Sequence, residues 1–281
     1  MPLSITSTQN PKIKQLLTLQ QKSSERRRSG LFVVEGRREL EHCIEAGYEI
    51  VEQYVLEGEA VGPTPNPSPK EGRWEGVVTY AVSSHVYERI AYRGSTEGII
   101  AIVKAKDHSL ENLLPSHLPS KEGQGADSPL YIILESVEKP GNLGAVLRSA
   151  DAGGATAVIV CDPLTDLYNP NLIRASIGAC FTVPTVACTS EECIQFLKRN
   201  GVKILTAQLQ DSKLYYDTDM TGPTAIVMGT EATGLTDIWR EAADAHIRIP
   251  MLGRLDSLNV SVSAAILLFE AVRQRGAHTL R

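Results

Sequence analysis

The sequence predicts an α/β protein built from a larger C-terminal domain, 130–281, and a smaller N-terminal α/β unit, 1–105. Three observations predict this. From residue 130 onward, short apolar runs alternate with helix-length amphipathic runs, the rhythm of a mostly parallel sheet covered on both faces. The first 105 residues carry the same mixture on a smaller scale. Between them, 106–129 is a low-complexity linker, and 281 residues leave room for two cores.

In chain order, Asn10-Pro11 opens a helix whose apolar stripe is Ile13, Leu16, Leu17 and Leu19. Leu31-Phe32-Val33-Val34 predicts a buried strand ended by Glu35-Gly36, and a helix near 38–46 is stopped by Gly47. Strands follow at 50–56 and 99–103. The proline-dense stretch 63–72, inside an insertion at about 62–76, cannot be core, and 118–125 echoes its Pro-Ser-Lys-Glu-Gly pattern. In the second domain, strands are predicted at 131–134, 157–161, 182–187, 203–207, 224–228 and 246–249. Helices are predicted at 143–152, 171–180, 191–200, 238–243 and 258–275. In the last of these, Ser257 or Asp256 can serve as cap, and Leu258, Val262, Ile266, Phe269 and Val272 form the expected core stripe.

Composition narrows the function classes. No apolar run reaches the roughly 20 residues of a membrane span, and the polar start Met1 to Lys14 lacks a signal-peptide core, which points to the cytoplasm. The five cysteines, Cys43, Cys161, Cys180, Cys188 and Cys193, are odd in number and contain no C-x-x-C pair, so neither a disulfide framework nor a metal site is expected. Net charge is −5, yet residues 1–40 hold eight basic residues against Glu25, Glu35 and Glu39. A basic segment on an acidic chain suits an RNA contact confined to one surface, with Lys12, Arg26, Arg27, Arg28 and Arg37 as candidates. A solvated helix face would carry the same charges.

Three junctions in the C-terminal domain join a strand-like run to a helix-like run through Gly, Asn or Pro. In the first, Gly141 and Gly144 bracket a turn with Asn142 between them, and Arg148 follows one helical turn later. The spacing is not G-x-G-x-x-G, so a nicotinamide dinucleotide fits poorly. In the second, Met228-Gly229-Thr230-Glu231 leads to Gly234; Gly229 permits close ligand approach, and Glu231 can meet free amides or an arginine, or cap the next helix. In the third, Ile249-Pro250-Met251 leads to Ser257-Leu258-Asn259-Val260-Ser261. Packing explains much of that helix but not Asn259, Ser261 and Ser263, polar groups that need partners where burial is expected.

Taken in order, Asn142-x-Gly144-x-x-x-Arg148-x-Ala150, Met228-Gly229-x-Glu231-x-x-Gly234 and Ile249-Pro250-Met251…Ser257-Leu258-Asn259-Val260-Ser261-Val262 resemble the three motifs of the TrmH-like (SpoU) family of RNA ribose 2′-O-methyltransferases, within the SPOUT superfamily. Asn10-Pro11-Lys12 and Phe32-Val33-Val34-Glu35-Gly36 resemble, more loosely, the ribosomal-protein-like substrate-binding domain of many members; the proline-rich insertion departs from it. The resemblance implies an α/β trefoil knot, where periodicity alone gives an ordinary doubly wound sheet. It further implies bound S-adenosyl-L-methionine, a homodimer, and no metal or membrane. Carried over by motif, Met228, Gly229, Ile249, Met251 and Leu258 contact the cofactor, while Asn142, Arg148, Glu231, Ser257 and Asn259 form the catalytic shell. A guanidinium stays protonated below a pKa of about 12, so Arg148 suits electrostatic stabilisation as well as its usual assignment as base. Ribosomal RNA is the expected substrate, with tRNA the alternative within the class. A non-catalytic RNA-binding or ribosome-assembly factor is the alternative outside it.

Overall fold

The computed structural model describes residues 3–59, 77–92, 98–106, 108–114, 128–230 and 233–276. The proline-rich stretches 63–72 and 118–125 and the catalytic candidate Glu231 lie outside the described residues. Two compact units result: Met1–Asp107 with Asp166–Thr182, and His108–Thr165 with Val183–Arg281.

The first unit is a five-stranded mixed sheet in the order β1 (Leu3–Ile5), β4 (Val78–Val82), β3 (Ile50–Leu56), β5 (Ile99–Lys104), β2 (Leu31–Glu35). Strands β1, β4 and β3 run parallel, and β5 is antiparallel to both β3 and β2. Period-two alternation assigns the faces. Val33, Ile100 and Ile102 pack with Ile13, Leu16 and Leu19 of α1 (Pro11–Gln21) and with Val86 and Ile90 of α4 (Ser84–Ile90). Phe32, Val34, Ile99, Ala101 and Val103 point the other way, against Leu40 and Cys43 of α3 (Arg37–Glu45). Asn10 caps α1 through its side chain, with Pro11 at the first helical position, as Asn10-Pro11 predicts.

The segment 166–182, expected in the second domain, completes this second face. Its helices α6 (Pro170–Ser176) and α7 (Ala179–Thr182) contribute Ile173 and Phe181, and Tyr168 stacks on Phe32 with ring centroids 4.2 Å apart. The single helix expected at 171–180 is broken because Ile177 and Gly178 both adopt the left-handed conformation, at φ 55° and 84°. Strands β1 and β4 and helix α2 (Ser23–Ser29) are not foreshadowed by the sequence pattern. The first two are short or half-exposed, and α2 has no apolar stripe.

The second unit is a seven-stranded sheet in which every neighbouring pair is parallel. Its order is β10 (Lys213–Leu214), β12 (Ala245–Arg248), β9 (Lys203–Ala207), β11 (Thr224–Met228), β6 (Leu130–Glu135), β7 (Ala157–Cys161), β8 (Thr185–Cys188). Strands β6, β7 and β11 are buried along their whole length because both faces are covered, with Glu135 and Thr224 as polar end residues. Tyr131, Ile133, Ile159, Ile204 and Val227 pack with Phe196 and Leu197 of α8 (Ser190–Arg199) and Trp239 of α9 (Asp237–Ala242). Helices α5 (Pro140–Ala152) and α10 (Val260–Gln274) pack on one another. From β6 the chain runs outward through β7 to β8, then crosses to build β9, β11 and β12 on the other side. The β6–β11 pair is therefore the topological switch, where the carboxyl ends of parallel strands open a crevice.

Candidate active site

Three chain reversals meet at that edge. After β6 the chain turns through Ser136, at φ 51°, into α5, which starts at Pro140 rather than at the expected 143. Gly144 is consequently a buried position inside the helix and not part of the turn. Asn142 lies in the first turn. Arg148 lies about 9 Å further along the axis, exposed, with no hydrogen bond or ion pair among the described residues. An exposed guanidinium with no partner among the described residues can meet an incoming anion.

After β11, Gly229 begins a tight loop closed by the Thr230–Gly234 bridge, with Gly234 N donating to Thr230 O at 3.1 Å. A Cβ at residue 229 would lie 2.2 Å from the Gly234 carbonyl carbon and 2.4 Å from Leu235 N. The space a side chain would need at residue 229 is filled by the chain's own loop, so packing by itself requires glycine there. Met228 is buried in β11, pairing with Leu134, so only its main chain can reach the crevice. A residue outside the three motifs fixes this loop. Glu135, buried at the end of β6, accepts from Thr236 N at 2.9 Å and from Thr236 Oγ1 at 2.5 Å. Its signal in the sequence is an acid closing an apolar strand.

After β12, residues 249–259 cross back to α10, which starts at Val260. The cap is Asn259, not Ser257 or Asp256. Asn259 Oδ1 accepts from Ser261 N at 3.0 Å and from Ser261 Oγ at 2.6 Å, which fixes the amide orientation and leaves Nδ2 to donate to Asn142 Oδ1 at 3.1 Å. Ser257 and Leu258 are exposed, and Leu252 and Leu255 are 98% and 79% exposed. The expected core stripe is the wrong face of α10. Ala264, Leu267, Leu268 and Ala271 are buried, whereas Leu258, Val262 and Phe269 are 40–47% exposed. The helix carries two apolar stripes, and its own unit covers one. Asn259, Ser261 and Ser263 sit at the open end of the helix rather than its most buried part, so local capping satisfies Asn259 and Ser261.

These residues fit the cofactor that their motifs imply. Among the described residues, the main chain of Gly229 and of 249–258 makes no backbone hydrogen bond, so Gly229, after β11, and Ile249, Met251 and Leu258, between β12 and α10, offer N–H and C=O groups to a ligand. An adenine edge and an amino-acid moiety both pair with such groups. No helix of the described residues is long and apolar enough to cross a membrane.

The basic candidates of the first unit separate into two kinds. Arg26 departs from the expected RNA contact: it is 5% exposed, ion-paired to Asp166 at 2.5 Å and bonded to the carbonyls of Leu19 and Gln20. Its charge is neutralised inside the fold. Arg27 and Arg28 are exposed on α2, with Arg28 held by Glu25 at 2.5 Å. Lys12 pairs with Glu52 at 2.6 Å, and that carboxylate raises its pKa above the usual lysine value. Arg37 lies 3.5 Å from Glu59.

Comparisons with known proteins identify the family. Residues 129–269 match the model of the SpoU rRNA Methylase family, and 10–101 match an MRM3-like substrate binding domain. The 23S rRNA (guanosine-2′-O-)-methyltransferase RlmB of Pectobacterium atrosepticum is 36% identical over 203 residues, 72% of this chain and 81% of that protein. A crystal structure of an RNA 2′-O ribose methyltransferase is 37% identical with a TM-score of 0.77, over 97% of this chain and 99% of that one. An rRNA methyltransferase from Sinorhizobium meliloti, solved with bound AdoMet, aligns with a TM-score of 0.82 at 27% identity, over 99% and 98% of the two chains. With its motif-bearing strand ends at the switch point and a substrate-binding domain ahead of them, the chain belongs to the SpoU rRNA methylase family.

Proposed function

We propose that this protein methylates the ribose 2′-hydroxyl of a guanosine in 23S ribosomal RNA, using S-adenosyl-L-methionine, in the cytoplasm and without a metal. The observation that carries the proposal is the meeting of three motifs at one sheet edge. Asn142 and Asn259 are hydrogen-bonded to each other there, unpaired main chain follows β11 at 229 and β12 at 249–258, and Arg148 stands exposed on the same helix as Asn142. The bound cofactor supplies an electrophilic methyl group. Gly229, Ile249, Met251 and Leu258 hold it through main-chain groups, with Met228 contributing main chain only. Arg148 pairs with the RNA phosphate and stabilises the alkoxide as the 2′-hydroxyl loses its proton. Glu231 orients Arg148 or receives the proton through water, and Asn142, Ser257 and Asn259 complete the shell. Lys12, Arg27, Arg28 and Arg37 supply phosphate contacts from the substrate-binding unit.

Two structural readings accompany this. The open stripe of Leu258, Val262 and Phe269, next to exposed Leu252 and Leu255, is covered by a second copy of the chain. The return of 249–259 from β12 to α5, across β9 and β11, forms the trefoil knot that the family resemblance implies. Mapping ribose methylations on total RNA from cells with and without this gene tests the function. Loss of one 2′-O-methylguanosine from 23S rRNA is expected; loss of a tRNA methylation, or of none, overturns the assignment.

A further inference from the structure

Cysteine spacing along the chain predicts no metal site, because there is no C-x-x-C pair and the closest pair, Cys188 and Cys193, has no nearby His partner. The sheet supplies a third thiol instead. Cys161 ends β7, Cys188 ends β8, and the parallel register sets them directly opposite each other. Helix α8 starts immediately after β8 and lays Cys193 over the same pair. The three sulfurs lie within 4.8 Å of one another.

That arrangement differs from ordinary core packing in three ways. First, a thiophilic cation bound at about 2.3 Å from each sulfur requires sulfur–sulfur distances of about 3.8 Å, so a contraction of about an ångström or less assembles the site. Second, the ligand-bearing backbone is fixed independently of any ion. Ser136 N donates to Cys161 O at 2.8 Å, Asp162 N donates to Cys188 O at 2.9 Å, and Asp162 holds a left-handed conformation at φ 47°. The Asp162 carboxylate also accepts from Ser190 N and Oγ, and Ser190 Oγ in turn accepts from Trp239 Nε1 at 2.9 Å. Third, access is graded: Cys161 and Cys193 are fully buried, while Cys188 is half-buried and provides the way in.

The structure assigns to Cys161, Cys188 and Cys193 a three-thiolate site for one thiophilic d10 cation of the zinc and cadmium class, its open position facing solvent beside Cys188. On binding, the three thiols release their protons to solvent and form three metal–sulfur bonds. The ion clamps the two outer strands β7 and β8 to α8. It lies beyond β6 from the β11 and β12 strand ends and takes no part in methyl transfer.

Titration of the reduced, metal-free full chain with cadmium(II) tests the site through the thiolate-to-cadmium absorption. A band that saturates at one ion per chain is expected, unchanged in Cys43→Ala/Cys180→Ala and lost in Cys188→Ala. S-adenosylmethionine affinity reports that each variant is folded. A band that never saturates, survives Cys188→Ala, or disappears with Cys43 and Cys180 overturns the proposal. Alkylation of the native chain decides independently of any variant: zinc(II) must slow iodoacetamide modification of Cys188, and an unchanged rate overturns the site.

Discussion

Asn259 Nδ2 donates to Asn142 Oδ1 at 3.1 Å, joining the first turn of α10 to the first turn of α5 across 117 residues of sequence. The same Asn259 side chain caps α10 through Ser261 N. One amide therefore starts a helix and ties two motifs together, and the two duties can be separated by substitution.

Asn259→Asp keeps the capping oxygen and removes the Nδ2 donor. We expect stability to change by no more than about 1 kcal/mol, the scale of a cap, while methyl transfer falls about tenfold or more as the Nδ2 donor to Asn142 Oδ1 is lost. Asn259→Ala loses both. Thermal unfolding beside single-turnover kinetics checks this, and an Asp variant of full activity would remove the contact from the site.

Arg148 is exposed and unpaired among the described residues, so its removal should leave the fold intact. Arg148→Ala is expected to lower turnover by on the order of 10² or more with little change in cofactor affinity. Parallel losses of cofactor binding and turnover would mark it instead as a cofactor or structural residue.

Arg26, Arg27 and Arg28 are adjacent in sequence and opposite in role. Arg27→Ser/Arg28→Ser should weaken RNA binding and flatten the slope of log K against log salt by about one to two units. Arg26→Ser should leave the slope alone and cost about 3–5 kcal/mol of stability, because Asp166 is then buried without its partner. Binding measured over a salt series, with denaturant unfolding in parallel, checks both halves. An Arg26 variant of native stability would contradict the burial argument.

How much was legible in the sequence follows from the period of each signal. Strands buried on both faces, such as Ile50–Leu56, Ala157–Cys161, Lys203–Ala207 and Thr224–Met228, were readable because a short apolar run between turn residues fits best inside a covered sheet. The motif junctions were readable as well, since Gly and Pro mark where backbone must turn. Helix phase was not. In α10 two apolar stripes compete, and the stripe that includes Leu258, Val262 and Phe269 is the open one. In α2 no stripe exists to say that Arg26 faces inward. The three-sulfur cluster depends on strand register, which Cys161 and Cys188, 27 positions apart, do not announce.

The open stripe predicts its own test. Val262→Asp places a charge at the centre of the face proposed to be shared between copies, while the residue is already 46% exposed in one chain. Sedimentation should show a dimer for the native protein and a monomer for the variant, with secondary structure retained. A native monomer, or a variant that still dimerises, would assign the stripe another role.

Arg275 anchors the end of α10 by donating to the carbonyls of Met220, Ser128 and Gly222 at 2.6–2.9 Å. Burial lowers its pKa below the usual arginine value without removing the charge. Arg275→Ala should cost about 2–4 kcal/mol, since it strands several carbonyls at once. Denaturant unfolding of the full chain measures this, and a loss below about 1 kcal/mol would show that the helix end is held by packing alone.

The proposed function assigns methyl transfer to ribose in 23S rRNA to the edge that carries Asn142, Arg148 and Asn259. Its most direct test is incubation of the purified chain with S-adenosylmethionine and 23S rRNA from cells lacking the gene, followed by mapping of 2′-O-methylated positions. One new 2′-O-methylguanosine is expected with the native chain and none with Arg148→Ala. Methylation of tRNA but not 23S rRNA, methylation on a base, or equal product from the Arg148 variant would contradict it.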